Sequence, residues 1–166
     1  MRSLGALALL FLCAAPAFGE KLEVEIPREG WSISFDAPSL SNKQDSSRSG
    51  GYAFRGNSGR FNVSLFVEEP GGAGDTHQAC YEFYWNQASH NPLIAKDTVS
   101  KSETPKFVSV QYDIVTEVAG KPIRMTNVNY YFAFRGKWID VHASVIEPTP
   151  SDAAILDAFE ASLDYR

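Results

Sequence analysis

Three polar residues that alternate along one predicted strand carry the groups that acid–base chemistry needs. Asp140, His142 and Ser144 are each separated by one apolar residue, so their side chains share one face of the strand. A carboxylate, an imidazole and a hydroxyl are also the groups of a hydrolytic triad. Alternate residues of a strand lie about 7 Å apart, whereas a nucleophile must lie about 3 Å from its base. The spacing therefore predicts a polar surface without direct proton relay, and it leaves open His142 as a base oriented by Asp140 or Tyr131.

Two further spacings bear on metal and phosphate binding. His77 and Cys80 lie three residues apart on a predicted helix, as metal ligands do, but no second pair with ligand spacing accompanies them. Gly71-Gly72-Ala73-Gly74 precedes the same helix, but no lysine follows at the spacing of a phosphate-binding loop. We therefore expect structural roles for His77 and Cys80, a flexible linker at 71–74, and neither a metal nor another cofactor.

The strands that must position these residues show apolar and polar side chains in alternation. This pattern is typical of a sheet buried on one face. Two shorter strands are predicted at 22–26 and 31–35, and residues 37–50, rich in serine, asparagine, aspartate and glycine, are predicted to form a mobile loop. The four better strands are 61–67, 108–114, 127–134 and 139–145.

Two helices complete the predicted fold. Asp75-Thr76 can cap a helix that ends near Ser89, and Thr149-Pro150-Ser151-Asp152 has the form of a capping box that starts a helix over 150–163. The predicted fold class is α+β, with an antiparallel sheet of about five to six strands and two main helices, which we expect on the apolar face of the sheet.

The predicted turns bring polar residues of neighbouring strands together on the other face. A two-residue loop at Arg135-Gly136 places Asn129 opposite His142 and Tyr131 opposite Asp140. A three-residue loop at 119–121 places Gln111 opposite Asn129. The candidate binding residues are the polar and aromatic side chains of this face: Gln111, Asn129, Tyr131, Trp138, Asp140 and His142.

Two segments resemble the PsbP-like and DcrB-like α/β sandwich superfamily. They are the opening Gly30-Trp31-Ser-Ile-Ser-Phe35-Asp-Ala-Pro38 and the closing strand pair 132–145, which is followed by a short C-terminal helix. The resemblance spans residues 22–164 and is a pattern of strands and aromatic residues. It implies a sandwich, a mostly non-catalytic accessory role and helices on both sheet faces, which would cover the polar face.

The first nineteen residues predict export from the cytoplasm. Arg2 is followed by an uncharged stretch at 4–15, and Ala17 and Gly19 occupy the −3 and −1 positions of a cut after Gly19. We expect a signal peptide at 1–19, a single domain at 20–166 and a periplasmic or secreted protein. The stretch is shorter than the roughly 20 residues of a membrane span, so we expect no transmembrane span in the mature chain. Lipidation of Cys13 is the alternative, which the bulky residue before it disfavours.

The charge of the mature chain bears on its partners. The full chain has a net charge of −5, and removal of Arg2 with the signal peptide makes it −6. A negative chain with no basic run is a poor ligand for nucleic acid, so we expect no nucleic-acid partner. Cys80 is the one cysteine left after cleavage, and its position on a predicted helix indicates burial.

Three functions fit these features. The first is a non-catalytic binding or assembly protein of the cell envelope that contacts another envelope or secreted protein, or a small ligand, through the polar face. The second is a small hydrolase or lyase with His142 as general base. The third is an inhibitor or immunity-type protein that acts through residues 37–50.

Overall fold

The computed structural model describes residues 19–48 and 50–166, which form two antiparallel sheets and two helices. This arrangement confirms the expected α+β class. In chain order the elements are β1 (Glu20–Ile26), β2 (Trp31–Ala37), β3 (Gln44–Arg48), β4 (Gly51–Ser58), β5 (Phe61–Glu68), α1 (His77–Ala88), β6 (Ile94–Glu103), β7 (Val108–Val118), β8 (Lys121–Phe134), β9 (Lys137–Ile146), α2 (Pro150–Ser162) and β10 (Asp164–Tyr165).

Seven strands make the larger sheet, in the order β3-β4-β5-β9-β8-β7-β6. Hairpins join β3 to β4, β4 to β5, β7 to β8 and β8 to β9, while β5 pairs with β9 from the far end of the chain. The central strands are therefore β5, β9 and β8, and they carry the buried residues on one face and most of the candidate residues on the other.

The main hydrophobic core lies between the larger sheet and a cover made by the smaller sheet and α2. β2 is the centre of the smaller sheet, between β1 and β10. Its Phe35 is fully buried, and the ring centroid lies 4.8 Å from that of Phe159 on α2. The α2 helix begins with the expected capping box, in which Thr149 and Asp152 bond reciprocally.

The α1 helix packs on the opposite face of the larger sheet, over β7, β8 and β9. Thr76 caps it, since its hydroxyl oxygen accepts a hydrogen bond of 3.1 Å from the Ala79 N–H. Tyr84 stacks on Tyr131, with ring centroids 6.1 Å apart and ring planes 10° apart. The expectation that both helices share the apolar face is wrong. The smaller sheet and α2 already fill that face, and aromatic residues of α1 pack against Tyr131 and Trp138, which the alternation assigned to the polar face.

The sheets hold more strands than the sequence indicated. About five to six strands were expected in one sheet, whereas seven form the larger sheet and the first two predicted strands belong to a separate one. β3 lies within the segment 37–50 that was expected to be a mobile loop. Both β3 and most of β6 are exposed edge strands, and such strands show no alternation of apolar and polar residues.

One predicted register is confirmed and another is wrong. Asn129 lies opposite His142 and Tyr131 opposite Asp140, as expected. The β7–β8 loop has two residues instead of three, because Val118 pairs with Lys121. A shift of one residue moves every side chain of a strand to the other face.

The predicted signal sequence, with Cys13, lies outside the described residues except for Gly19, and β1 begins at Glu20. Among the described residues, no helix combines the length and the apolar character that crossing a membrane requires.

Candidate functional site

The structure divides the six predicted site residues among three environments. Tyr131 and Trp138 lie beneath α1 in its buried aromatic cluster, and Asn129, which is also buried, and the partly buried Asp140 lie near them. His142 is partly buried and lines a surface groove. Gln111 is on the other face of the sheet.

Tyr131 and Trp138 are structural residues of the α1 interface. Each residue is only 1% exposed, so neither can contact a partner directly in this conformation. Gly72 closes the cluster from above, because a Cβ at this position would lie 3.2 Å from the Trp138 ring. The segment expected to be a flexible linker is therefore seated on the aromatic cluster. His77 also has a structural role, since its Nδ1 accepts from the Ala133 N–H at 3.1 Å.

Gln111 does not belong to the site. It pairs with Val128 and is exposed on the face opposite to Asn129. The physical reason is the two-residue loop at Ala119-Gly120, in which both residues have positive φ angles of 50° and 76°. The sequence offered a cue in the glycine at the second loop position, which is typical of a two-residue hairpin turn.

Asp140 lies in a chain of hydrogen bonds that crosses three strands. Tyr112 Oη donates to Asn129 Oδ1 at 3.0 Å, and Asn129 Nδ2 donates to Asp140 Oδ1 at 2.8 Å. Loss of hydration raises the pKa of the Asp140 carboxyl to about 7. The hydrogen bond from Asn129 opposes this shift, and the negative charge of Glu68 adds to it. Asp140 therefore changes charge near neutral pH.

His142 is held as a neutral imidazole. Burial lowers its pKa to about 4. Its Nε2 lies 3.0 Å from Asn127 Oδ1, and Asn127 Nδ2 donates to the Met125 carbonyl at 2.9 Å. Because an amide oxygen only accepts, His142 carries its proton on Nε2 and presents Nδ1 as an acceptor.

The orientation of His142 by Asp140 or Tyr131, which the sequence left open, is not found. The hydrogen bond described for His142 goes to Asn127, whereas Asp140 bonds to Asn129, and Tyr131 is packed beneath α1. A base with a pKa near 4 is also a weak proton acceptor at neutral pH. The geometry does not favour His142 as a general base.

The part of this sheet face that α1 leaves uncovered is called the open face below. Its side chains come from β4, from β5 and from one residue of β9, and each is exposed or partly exposed. Ser64 lies directly opposite His142 in the β5–β9 register. The guanidinium of Arg55 lies 5.6 Å from the centroid of the Phe66 ring. The open face consists of Arg55, Asn57, Asn62, Ser64, Phe66 and His142.

Sequence reasoning placed only His142 of these six residues in a site. The alternation of Asn62, Ser64 and Phe66 along β5 was visible, but its pairing with β9 joins segments that lie far apart in the chain. No turn connects them, so no loop length could predict their register.

Two grooves run along the open face. The histidine groove has a volume of about 330 Å³, and His142, Ser64 and Asn62 form part of its floor. The β3 groove has a volume of about 640 Å³ and is lined by Phe66, Glu68 and residues of β3. Gln44 and Arg55 line both grooves, so the two are continuous.

The remaining reactive groups have structural surroundings. Burial raises the pKa of the Cys80 thiol to about 12, and its Sγ lies 3.4 Å from the Ile139 carbonyl oxygen. Within residues 19–48 and 50–166, no three histidine, cysteine, aspartate or glutamate side chains are grouped closely enough to hold a metal ion. The open face instead presents amide, hydroxyl, imidazole and guanidinium groups, which suit hydrogen bonding to a polar surface.

Comparisons with known proteins place the chain in no established family. No protein-family model matches it, and no curated protein sequence is similar to it. A crystal structure of a protein from Bacteroides thetaiotaomicron is similar to this chain, with 13% sequence identity and a TM-score of 0.49. The match covers 81% of this chain and 45% of that one, so the chain spans less than half the length of that protein.

Proposed function

We propose that this chain is an exported, non-catalytic binding or assembly protein that contacts another envelope or secreted protein through the open face. The observation that supports the proposal is that one face of the larger sheet is fully covered and the other only in part. One face is filled by the smaller sheet and α2, whereas α1 covers only the region over β7, β8 and β9 on the other face. The remaining strands expose a continuous polar surface with two grooves.

The chemistry of the open face supports protein contact more than catalysis. Ser64 and His142 lie side by side, but the described hydrogen bond of His142 goes to Asn127, so Ser64 lacks an activated base. Arg55 and Phe66 supply the guanidinium and aromatic groups that are enriched in protein interfaces. The partner is therefore a polar protein surface that fits against the sheet.

The proposal includes membership of the PsbP-like and DcrB-like sandwich superfamily. Two helices on opposite faces of an antiparallel sheet support it, since the resemblance implies helices on both faces. A periplasmic or secreted location also belongs to the proposal, and it rests on the predicted signal peptide.

Site-specific photo-crosslinking tests the contact. A photoreactive amino acid is placed at Asn62 on the open face, or at Gln111 on the opposite face as a matched exposed control. The tagged protein is irradiated in the intact source cells. We expect a crosslinked protein partner from position 62 and none from position 111.

A second variant establishes that the contact depends on the open face. Ser64→Arg places a large charged side chain beside His142 without touching the cores, and it is expected to abolish the crosslink from position 62. Ser64→Ala is the conservative control and is expected to retain it. Equal crosslinking from both positions, or from neither, would refute contact through this face.

A further inference from the structure

β3 is a free edge of the larger sheet. It pairs with β4 on one side, and no strand of the described chain pairs with its other side. The opposite edge strand, β6, contains a register irregularity between Ala95 and Ser100 and carries Lys96 and Lys101. Bulges and lysines are the devices by which proteins block the addition of another strand. β3 pairs with β4 without irregularity and contains no proline.

The hydrogen bonding of β4 identifies the backbone groups of β3 that are free. The Asn57 carbonyl accepts from the Ser41 N–H at 2.8 Å, so the odd-numbered residues of β4 direct their backbone groups toward β3. Their partners in β3 are even-numbered: Gln44, Ser46 and Arg48. The N–H and C=O groups of Asp45 and Ser47 therefore point away from the sheet.

Grooves flank the β3 edge on both faces of the sheet. The β3 groove lies on the α1 side and is lined by Gln44, Ser46 and Phe66. On the other side, a groove of about 820 Å³ runs between the smaller sheet and β3 and is lined by Trp31, Asp45 and Tyr52. The side chains of an added strand would alternate between these two grooves.

The charges of the β3 groove indicate the chemistry of the occupant. The lining residues of the β3 groove include the carboxylates of Glu68 and Glu69 and the guanidinium of Arg55. The Asp45 side chain points to the other face, because Asp45 pairs with Phe54, and it lines the groove beside the smaller sheet. Glu69 is already paired with Lys137. Glu68 accepts a hydrogen bond from Tyr84 and has no ion pair among the described side chains. A lysine or arginine side chain complements this groove.

We propose that β3 accepts an extended segment of a partner protein as an additional strand of the larger sheet, with a basic side chain of that segment in the β3 groove. The inference rests on the proposed binding function and specifies the mode of contact. Backbone hydrogen bonds to Asp45 and Ser47 hold the segment, and the two grooves select its side chains.

The probe is a displayed library of random linear peptides, selected on the purified exported protein. Ser47→Pro removes one free N–H at the edge and leaves the bonds to β4 intact, because the Ser47 N–H points away from β4. We expect the selected peptides to be rich in lysine and arginine. We expect Ser47→Pro to weaken their binding by about tenfold or more and Ser47→Ala to leave it unchanged.

Amide hydrogen exchange gives a second readout. In the free protein, the amides of Asp45 and Ser47 should exchange fast, whereas that of Ser46 should be protected by β4. Peptide binding should protect Asp45 and Ser47 and leave Ser46 unchanged. Unchanged exchange at Asp45 and Ser47, or the absence of any peptide sensitive to Ser47→Pro, would overturn the proposal.

Two controls separate the alternatives. Self-association of the protein that Ser47→Pro abolishes would assign the edge to a second copy of this chain and would overturn the assignment to a partner segment. Gln111→Arg, an exposed change on the other face of the sheet, should leave peptide binding at β3 unchanged. Peptide binding at β3 without any crosslink from Asn62 in the otherwise wild-type protein would refute contact through the open face and leave the β3 proposal standing, so the two proposals fail separately.

Discussion

Asp140 and His142 lie two residues apart on the same face of β9, and burial moves their pKa values in opposite directions. Burial raises the pKa of Asp140 to about 7 and lowers that of His142 to about 4. Both shifts favour the neutral form. The pair therefore lies uncharged beside the open face in mildly acidic solution, and each member affects stability with the opposite dependence on pH.

Asp140→Asn should make the protein more stable relative to wild type as the pH rises from about 4 to 7. In the folded chain Asp140 stays protonated up to about pH 7, whereas in the unfolded chain it ionises near 3.8. It therefore lowers the free energy of unfolding as the pH rises from about 4 to 7, by at most about 4 kcal/mol. Asparagine keeps the oxygen that accepts from Asn129. Relative to wild type, the free energy of unfolding should rise across this interval, as measured by urea titration at several pH values.

His142→Gln should make the protein less stable relative to wild type as the pH rises from about 4 to 6.5. The folded chain keeps His142 neutral down to about pH 4, whereas the unfolded chain binds the proton near 6.5. His142 therefore raises the free energy of unfolding as the pH rises from about 4 to 6.5, by at most about 3 kcal/mol. Glutamine can still donate to Asn127. Relative to wild type, the free energy of unfolding should fall with rising pH in the same urea titrations.

The double variant is the control for both single variants. In wild type, the contributions of Asp140 and His142 to the free energy of unfolding change in opposite directions between about pH 4 and 6.5 and nearly cancel. The free energy of unfolding of the double variant should therefore show the same pH dependence as that of wild type in this interval. Parallel profiles for all four proteins would contradict the neutral burial of both residues.

The sequence predicted the parts of this site that local patterns determine. Asn129 opposite His142 followed from a short loop with glycine, and α2 followed from a capping box at Thr149. Gln111 was misplaced because one residue in the assumed length of a loop decides which face a strand presents.

The remaining features depend on contacts that are distant in sequence. The smaller sheet and α2 fill the apolar face, and Tyr131 and Trp138 on the other face pack against the aromatic residues of α1. Ser64 joins His142 through the pairing of β5 with β9, for which no turn gives a register. Burial, and therefore the pKa values of Asp140 and His142, follows from this packing.

Ala119→Asn should stabilise the protein, because Ala119 has a φ of 50° in the two-residue loop that sets the β7 register. Alanine in the left-handed region costs about 1 kcal/mol, whereas asparagine followed by glycine is the preferred sequence of such a turn. We expect the free energy of unfolding in urea to rise by about 0.5–1 kcal/mol. Ala119→Val is the matched control and should lower it, since a β-branched residue fits this region poorly. No difference between the two variants would contradict the two-residue loop.

Gly71→Ala should destabilise the cover of the aromatic cluster beneath α1. A Cβ at this position would lie 2.4 Å from Cζ of Phe83, whose ring packs against Trp138 with centroids 5.3 Å apart. Relief of this overlap requires movement of the ring or of the segment, and such overpacking costs about 1–3 kcal/mol. Urea titration should show the loss, and the near-ultraviolet circular dichroism of the protein should change with it, because the aromatic cluster around Trp138 is disturbed.

Phe83→Leu provides the matched test of this mechanism. Leucine lacks the ring atom that meets the new methyl group, so the destabilisation caused by Gly71→Ala should be smaller in a Phe83→Leu background than in wild type. The coupling between two residues in contact is measured by a double-mutant cycle. Additive effects would mean that the new methyl group at position 71 does not contact Phe83. The segment at 71–74 would then act as the flexible linker that its glycines suggest.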